Sequence, residues 1–203
     1  MSKDHLHRRD LMREQLAYDA ARLMAEGGIT DYAFAKRKAA KQKGIADTQH
    51  LPSNNEIEMA LRSFRALYQS ESYPLVLYQL RQQAFATMHL LKQFHPFLTG
   101  SVLDGTAGEQ SDINLLIFSD DEKALMMFLL NHNLSFEGGV WDAHLTVKQK
   151  DVPSFMIRTE TGVPVHIAVL PESARHSGSY RTGKYADMGA VKQLLEAHLE
   201  GGG

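Results

Sequence analysis

Apolar positions along this chain recur with two periods, and the change between them divides the chain. In the first half the spacing is helical. Met12, Leu16, Ala20 and Leu23 mark a helix over residues 5–26, stopped by Gly27 and Gly28. Thr30 and Asp31 offer caps to a second helix from about Tyr32 to Lys43, closed by Gly44. After a linker over 45–53 that contains Pro52, Ser53 and Glu56 have capping-box spacing. Ile57, Leu61, Phe64 and Tyr68 then line one face of a third helix. Ser70, Ser72 and Pro74 interrupt the pattern before a longer helix from Pro74 to about Phe94, with Leu77, Leu80, Ala84, Met88 and Leu91 on its buried side.

From Pro96 onward strand-like stretches take over. Pro96, Phe97 and Leu98 read as a short strand entry, and Ile113, Leu115, Leu116, Ile117 and Phe118 as a strongly apolar strand. Ser119 and Glu122 suit a second capping box, opening a helix to about His132. The segment Leu134–Lys150 has strand-like pieces (Val140–Val147) interrupted by Gly138-Gly139. Phe155–Arg158 and Val163–Leu170 read as a hairpin joined around Thr161-Gly162. Val163, Val165, Ile167 and Val169 fall on one face, with His166 and Ala168 on the other. Residues 172–186 form a polar loop carrying Arg175, Arg181 and Lys184, and Asp187 caps a final helix through Val191, Leu194, Leu195 and Leu199. The expected class is α+β: N-terminal helices over 1–72, then a mixed sheet with flanking helices over 73–200.

Composition narrows the function classes. An apolar share of 43% beside 23% charged residues is that of a chain able to bury a core. With no cysteine there is no disulfide, thiolate metal site or Cys nucleophile. The opening MSKDHLHRRD lacks an apolar signal region and no run approaches the roughly 18 apolar residues of a membrane span, so a cytoplasmic protein with no membrane partner is expected. The terminal Gly201, Gly202 and Gly203 read as a frayed tail. The net charge of −2 argues against wholesale coating of nucleic acid, yet residues 1–50 carry +3 and the remainder −5. Lys36, Arg37, Lys38, Lys41 and Lys43 make the helix over 32–43 the place where nucleic acid or an acidic partner could dock, or else simply a solvated face.

The candidate chemistry lies in Pro96–Asp121, PFLTGSVLDGTAGEQSDINLLIFSDD. Gly100 lets backbone approach a ligand closely, and Ser101 with the amides after it can donate to phosphate oxygens. Asp112 and Asn114, two apart at a strand's start, point the same way. Two oxygen-bearing side chains facing a Gly-Ser turn suit a hard cation that bridges to phosphate. GSVLDGTAGEQSDINLL resembles the signature of the nucleotidyltransferase superfamily, with the DNA polymerase beta-like fold, over roughly residues 94–120. The resemblance implies transfer of a nucleoside monophosphate from a nucleoside triphosphate to an acceptor hydroxyl. It assigns phosphate contacts to Gly100 and Ser101, catalysis to Asp112 and Asn114, and Mg²⁺ or Mn²⁺ as the cofactor of an active member.

This sequence departs from that pattern at two of three carboxylate positions, which hold Asn114 and, in VPVHIAVL, His166. One carboxylate holds two Mg²⁺ ions poorly. Asp104, Glu109 and Glu172 are the nearby carboxylates able to substitute. Alternatively Asp112, Asn114 and His166 converge on one transition-metal ion, since imidazole suits Mn²⁺ or Zn²⁺ better than Mg²⁺, or His166 is merely a histidine beside the core. Arg181 and Lys184, with Arg175, are candidates to clamp a triphosphate or the acceptor. His5 and His7 have the spacing of an incidental chelator and take no role. The leading expectation is a nucleotidyltransferase-like protein with weakened or lost activity. The alternatives are a catalytically silent module of the same fold that binds nucleotide, nucleic acid or a protein, and an unrelated helical regulator with a small sheet.

Overall fold

The computed structural model describes residues 3–27, 29, 31–45, 51–68, 73–141, 152–176 and 185–201. The chain forms two compact units, Met1–Val76 with Gly108–Ser111, and Leu77–Ala107 with Asp112–Gly203. N-terminal helices are followed by a mixed β-sheet with flanking helices. No helix among the described residues is long and apolar enough to cross a membrane.

The first unit is built on α1 (Lys3–Gly27), α2 (Tyr32–Gln42) and α3 (Asn54–Tyr68). Leu16, Ala17, Ala20, Ala21 and Met24 of α1 meet Ala35, Ala39 and Ala40 of α2 and Ile57 and Leu61 of α3 in one buried cluster. Alanine at so many of these positions permits close helix approach at little cost in side-chain entropy. Asp31 Oδ1 caps α2, accepting from the amides of Ala33 and Phe34 at 2.6 and 3.1 Å. The capping box at α3 forms: Ser53 donates its amide and hydroxyl to Glu56 Oε2 at 2.7 and 2.6 Å, and Ser53 Oγ accepts from the Glu56 amide at 3.2 Å. Tyr68, at the last helical position of α3, is 66% exposed and packs on Phe64 of the same face, with ring centroids 4.8 Å apart.

Arg13 grips the same carboxylate with both forks, Nη2 at 2.8 Å from Oε2 and Nε at 2.7 Å from Oε1. That grip, aided by Ser53 and opposed by partial burial, holds the Glu56 carboxyl at about 2 rather than its usual 4.5. A depressed folded-state value means a contribution to stability that is complete above the unfolded value and lost as pH falls from about 4.5 to 2. Denaturant melts of wild type and Glu56→Gln at pH 7 and at acid pH should therefore show a gap that closes on acidification. A gap that widens toward acid would contradict this.

The second unit contains most of α4 (Tyr73–Leu90), β1 (Phe97–Thr99), α5 (Ser101–Asp104), β2 (Ile113–Phe118), α6 (Glu122–Asn131), β3 (Phe136–Trp141), β4 (Val152–Arg158), β5 (Pro164–Leu170), β6 (Tyr185–Ala186) and α7 (Met188–Gly201). The strand order is β3-β4-β5-β2-β1-β6. Among the described residues, only the β2–β5 pairing is parallel. The parallel pair sits at the centre, where Leu115, Ile117, Val165, Ile167 and Val169 are all buried. Leu80, Ala84 and Met88 of α4, Leu125 and Leu129 of α6 and Val191 of α7 supply the buried helical side chains. Stacking of Tyr78 on His198 ties α4 to α7, with ring centroids 4.6 Å apart.

Several elements differ from expectation. α4 stops at Leu90, and a 3₁₀ turn over Lys92–Phe94 leads to His95 in the left-handed region at φ 48°. The capping box proposed for Ser119 and Glu122 does not form. Asp121 caps α6 instead, its Oδ1 accepting from the Ala124 amide at 3.0 Å, while Ser119 Oγ accepts from the Asp121 amide at 3.0 Å. β3 starts at Phe136 and runs through both glycines, which pair with Phe155 and Ser154. The expected strand piece beyond Trp141 lies outside the described residues. The β4–β5 hairpin and the Asp187 cap form as read, the latter by the Ala190 amide donating to Asp187 Oδ1 at 2.8 Å.

Candidate functional site

Strand register decides which side chains share a neighbourhood. Thr99 of β1 lies opposite Asn114 of β2, Asn114 is paired with His166 of β5, and His166 with Met156 of β4. Side chains of paired residues emerge on the same face, so these four form one row across the sheet. The next rows on that face are apolar: Phe97, Leu116 and Ala168, then Phe118 and Leu170, gathered in a buried cluster with Val152 and Ala174. A polar row thus borders an apolar floor. Phe97, Phe118 and Tyr185 pack edge to face there, at centroid separations of 5.1–6.1 Å.

The Gly-Ser corner is built from β1 and α5. Gly100 has φ 73° and ψ −157°, a region essentially confined to glycine. A Cβ there would lie 3.0 Å from Asn114 Nδ2, so Gly100 allows the backbone to lie directly against the Asn114 amide. The chain then makes the single turn of α5, with the Asp104 amide donating to Gly100 O at 2.9 Å. The amides of Thr106 and Ala107 both close on Ser101 O, at 2.9 and 3.0 Å. This consumes the carbonyl of Ser101 and leaves its half-buried hydroxyl as the group able to meet a ligand.

Asp112 precedes β2 by one residue, and its Oδ2 lies 3.3 Å from His166 Nε2. Both side chains stay accessible, 41% and 34% exposed. Asp112, Asn114, His166 and Gly100 are thereby linked through one set of contacts and pairings. No group of three or more His, Cys, Asp or Glu side chains able to hold a metal occurs among the described residues, so Asp104, Glu109 and Glu172 do not complete one here. Arg181 and Lys184 lie outside the described residues. Arg175 is exposed, with its guanidinium carbon 5.4 Å from the Phe97 ring centroid, at the edge of the apolar floor.

One contributor gave no sequence signal. Arg81 of α4 donates from Nε to Val102 O at 3.1 Å and from Nη2 to Leu103 O at 3.2 Å. It thereby satisfies carbonyls at the end of α5 and steadies the turn that carries Ser101.

No family model matches this chain, and no curated protein matches it. Among solved structures, a cytoplasmic RNA terminal U-transferase gives a weak, partial match over 68% of this chain and 34% of its own, at 14% identity and a TM-score of 0.30. This chain spans about a third of that protein's length. A likeness of that size assigns no function, and the chemistry has to be argued from the side chains.

On the basic helix α2, burial pushes the Lys36 ammonium down from its usual value. Lys43 is 3.1 Å from Asp19 Oδ2, and the Lys38 ammonium lies 5.8 Å from the Phe34 ring centroid. Lys43 and Lys38 thus have partners within the first unit.

Proposed function

We propose that the second unit binds a nucleoside triphosphate at the Gly100-Ser101 corner and acts as a nucleotidyltransferase-like domain with weakened transfer to an acceptor hydroxyl. The observation that carries this reading is the convergence on Asn114, which abuts Gly100 on one side and pairs with His166, itself in contact with Asp112. The corner supplies what phosphate recognition needs: backbone free of a side chain at Gly100 and a hydroxyl donor at Ser101. The apolar floor beyond the polar row suits the less polar part of such a ligand.

The donor set does not fit two Mg²⁺ ions. Asp112 brings the only carboxylate, Asn114 is neutral, and His166 presents nitrogen, which Mg²⁺ disfavours. Transfer is accordingly weakened relative to a three-carboxylate site, and what remains is binding and orientation of the phosphates by Ser101 and Asn114. That same single carboxylate favours a second reading, a catalytically silent nucleotide-binding module.

Calorimetric titration of nucleoside triphosphates, with and without Mn²⁺ or Mg²⁺, separates the two. For the transferase reading, binding strengthens with the ion and Asp112→Ala weakens it by about tenfold or more only when the ion is present. Binding indifferent to ions and to Asp112→Ala supports the silent module. No binding under any condition contradicts both.

A further inference from the structure

We infer that the outer edge of β3 pairs with the same edge of a second copy of this chain, antiparallel about a two-fold axis at Gly138, so that one sheet runs through both copies. The inference is independent of the nucleotide reading. β3 (Phe136–Trp141) ends the sheet order, with β4 on one side, and among the described residues no strand pairs with its other side. Such edges are commonly blunted by lysine, proline or a bulge. β3 contains neither Lys nor Pro, and its register with β4 runs without a bulge from Phe136 to Trp141. Glu137, Gly138, Gly139 and Val140 are exposed, Val140 to 61%.

Two prolines fix which backbone groups point outward. An antiparallel ladder alternates bonded with non-bonded pairs, and a proline, lacking an N–H, takes a non-bonded place. Pro153 lies opposite Val140 and Pro164 opposite Arg158, and the two give the same phase. Glu137 and Gly139 bond to β4, whereas the amides and carbonyls of Phe136, Gly138 and Val140 face away from it. A second β3 that meets these outward groups with Gly138 opposite Gly138 sets Phe136 of one copy against Val140 of the other, and Glu137 against Gly139. The strand is self-complementary in that register. Each Glu137 carboxylate faces a glycine rather than its own copy, which avoids a like-charge pair. Phe136 and Val140 emerge on the same face as Phe155, on which the Phe136 ring packs at a centroid distance of 5.6 Å. Each exposed Val140 is then covered by an aromatic ring of the other copy, and the two-fold axis makes the contact twice.

A single pair of short strands makes a small interface, so the dimer is weak. Sedimentation equilibrium of the full chain should show monomer and dimer exchanging with concentration. Val140→Lys and Gly138→Pro, each checked for an unchanged thermal melt in dilute solution, should weaken the dimer about tenfold or more. The proline removes an outward amide and spares the bonds to β4. The register is read separately, since the chain has no cysteine of its own. Directly paired Cα atoms lie about 4.5–5.5 Å apart and diagonal ones about 7–8 Å, against a disulfide limit of about 7 Å. On mild oxidation, a mixture of Glu137→Cys and Gly139→Cys chains should therefore form the mixed crosslinked dimer in preference to either variant with itself. A monomer at every concentration overturns the inference and leaves this edge to a strand of another protein. A dimer indifferent to both edge substitutions, or crosslinking without preference for the mixed pair, overturns it as well.

Discussion

Replacing Gly100 with alanine is expected to destabilise the second unit by about 1–3 kcal/mol and to abolish nucleotide binding. Two independent causes act at this position. The backbone stands at φ 73° and ψ −157°, where an L side chain is strained whatever the surrounding space. The added methyl would also come 3.0 Å from Asn114 Nδ2, so either the corner lifts away from β2 or Asn114 moves out of its row. Both responses disturb the group of contacts proposed to hold the ligand. Gly138→Ala is the matched control. Gly138 has ordinary φ in an exposed stretch of β3, with nothing within 4 Å of the added carbon, and should stay within about 0.5 kcal/mol of wild type. Thermal melts and nucleotide titrations of the two variants check the pair, and equal behaviour would contradict the role assigned to Gly100.

Leu115→Ala should cost more stability, about 2–5 kcal/mol, and lower the melting temperature by roughly 10 °C. Leu115 is fully buried and belongs to β2, which pairs with both β1 and β5 and so holds the middle of the sheet. Its side chain emerges on the face opposite Asn114, so the variant removes packing without touching a ligand group. Nucleotide affinity measured well below the melting transition should therefore be nearly unchanged. A large loss of affinity with little loss of stability would mean that the two faces have been assigned the wrong way round.

The helices of the first unit were legible because their information is local: Asp31 and the Ser53/Glu56 pair lie within one turn of the amides they cap. A strand falls within Leu134–Lys150 as expected, but the break expected at Gly138-Gly139 does not occur, for a physical reason. β3 is an edge strand held by backbone pairing, and Gly138 and Gly139 can pair without contributing the side-chain pattern by which strands are recognised. Ser119 and Asp121 both carry capping oxygens, and the choice between them depends on where β2 ends, which spacing alone does not fix. The alternation of β5 correctly put His166 on the face opposite Val165 and Ile167. That His166 meets Asp112 follows only from the parallel β2–β5 register, a pairing between segments distant in sequence. Arg81 was invisible for a similar reason: it serves backbone carbonyls 21 and 22 positions away, and carbonyls leave no mark in a sequence.

The central claim is that the Gly100-Ser101 corner and the Asp112–His166 pair serve a single ligand. Amide NMR of the isotope-labelled chain during titration with a nucleoside triphosphate tests it most directly. The account predicts that the resonances of Gly100, Ser101, Asp112 and His166 move together and saturate at one concentration. Movement at the corner alone, at the pair alone, or at two separate affinities would contradict it.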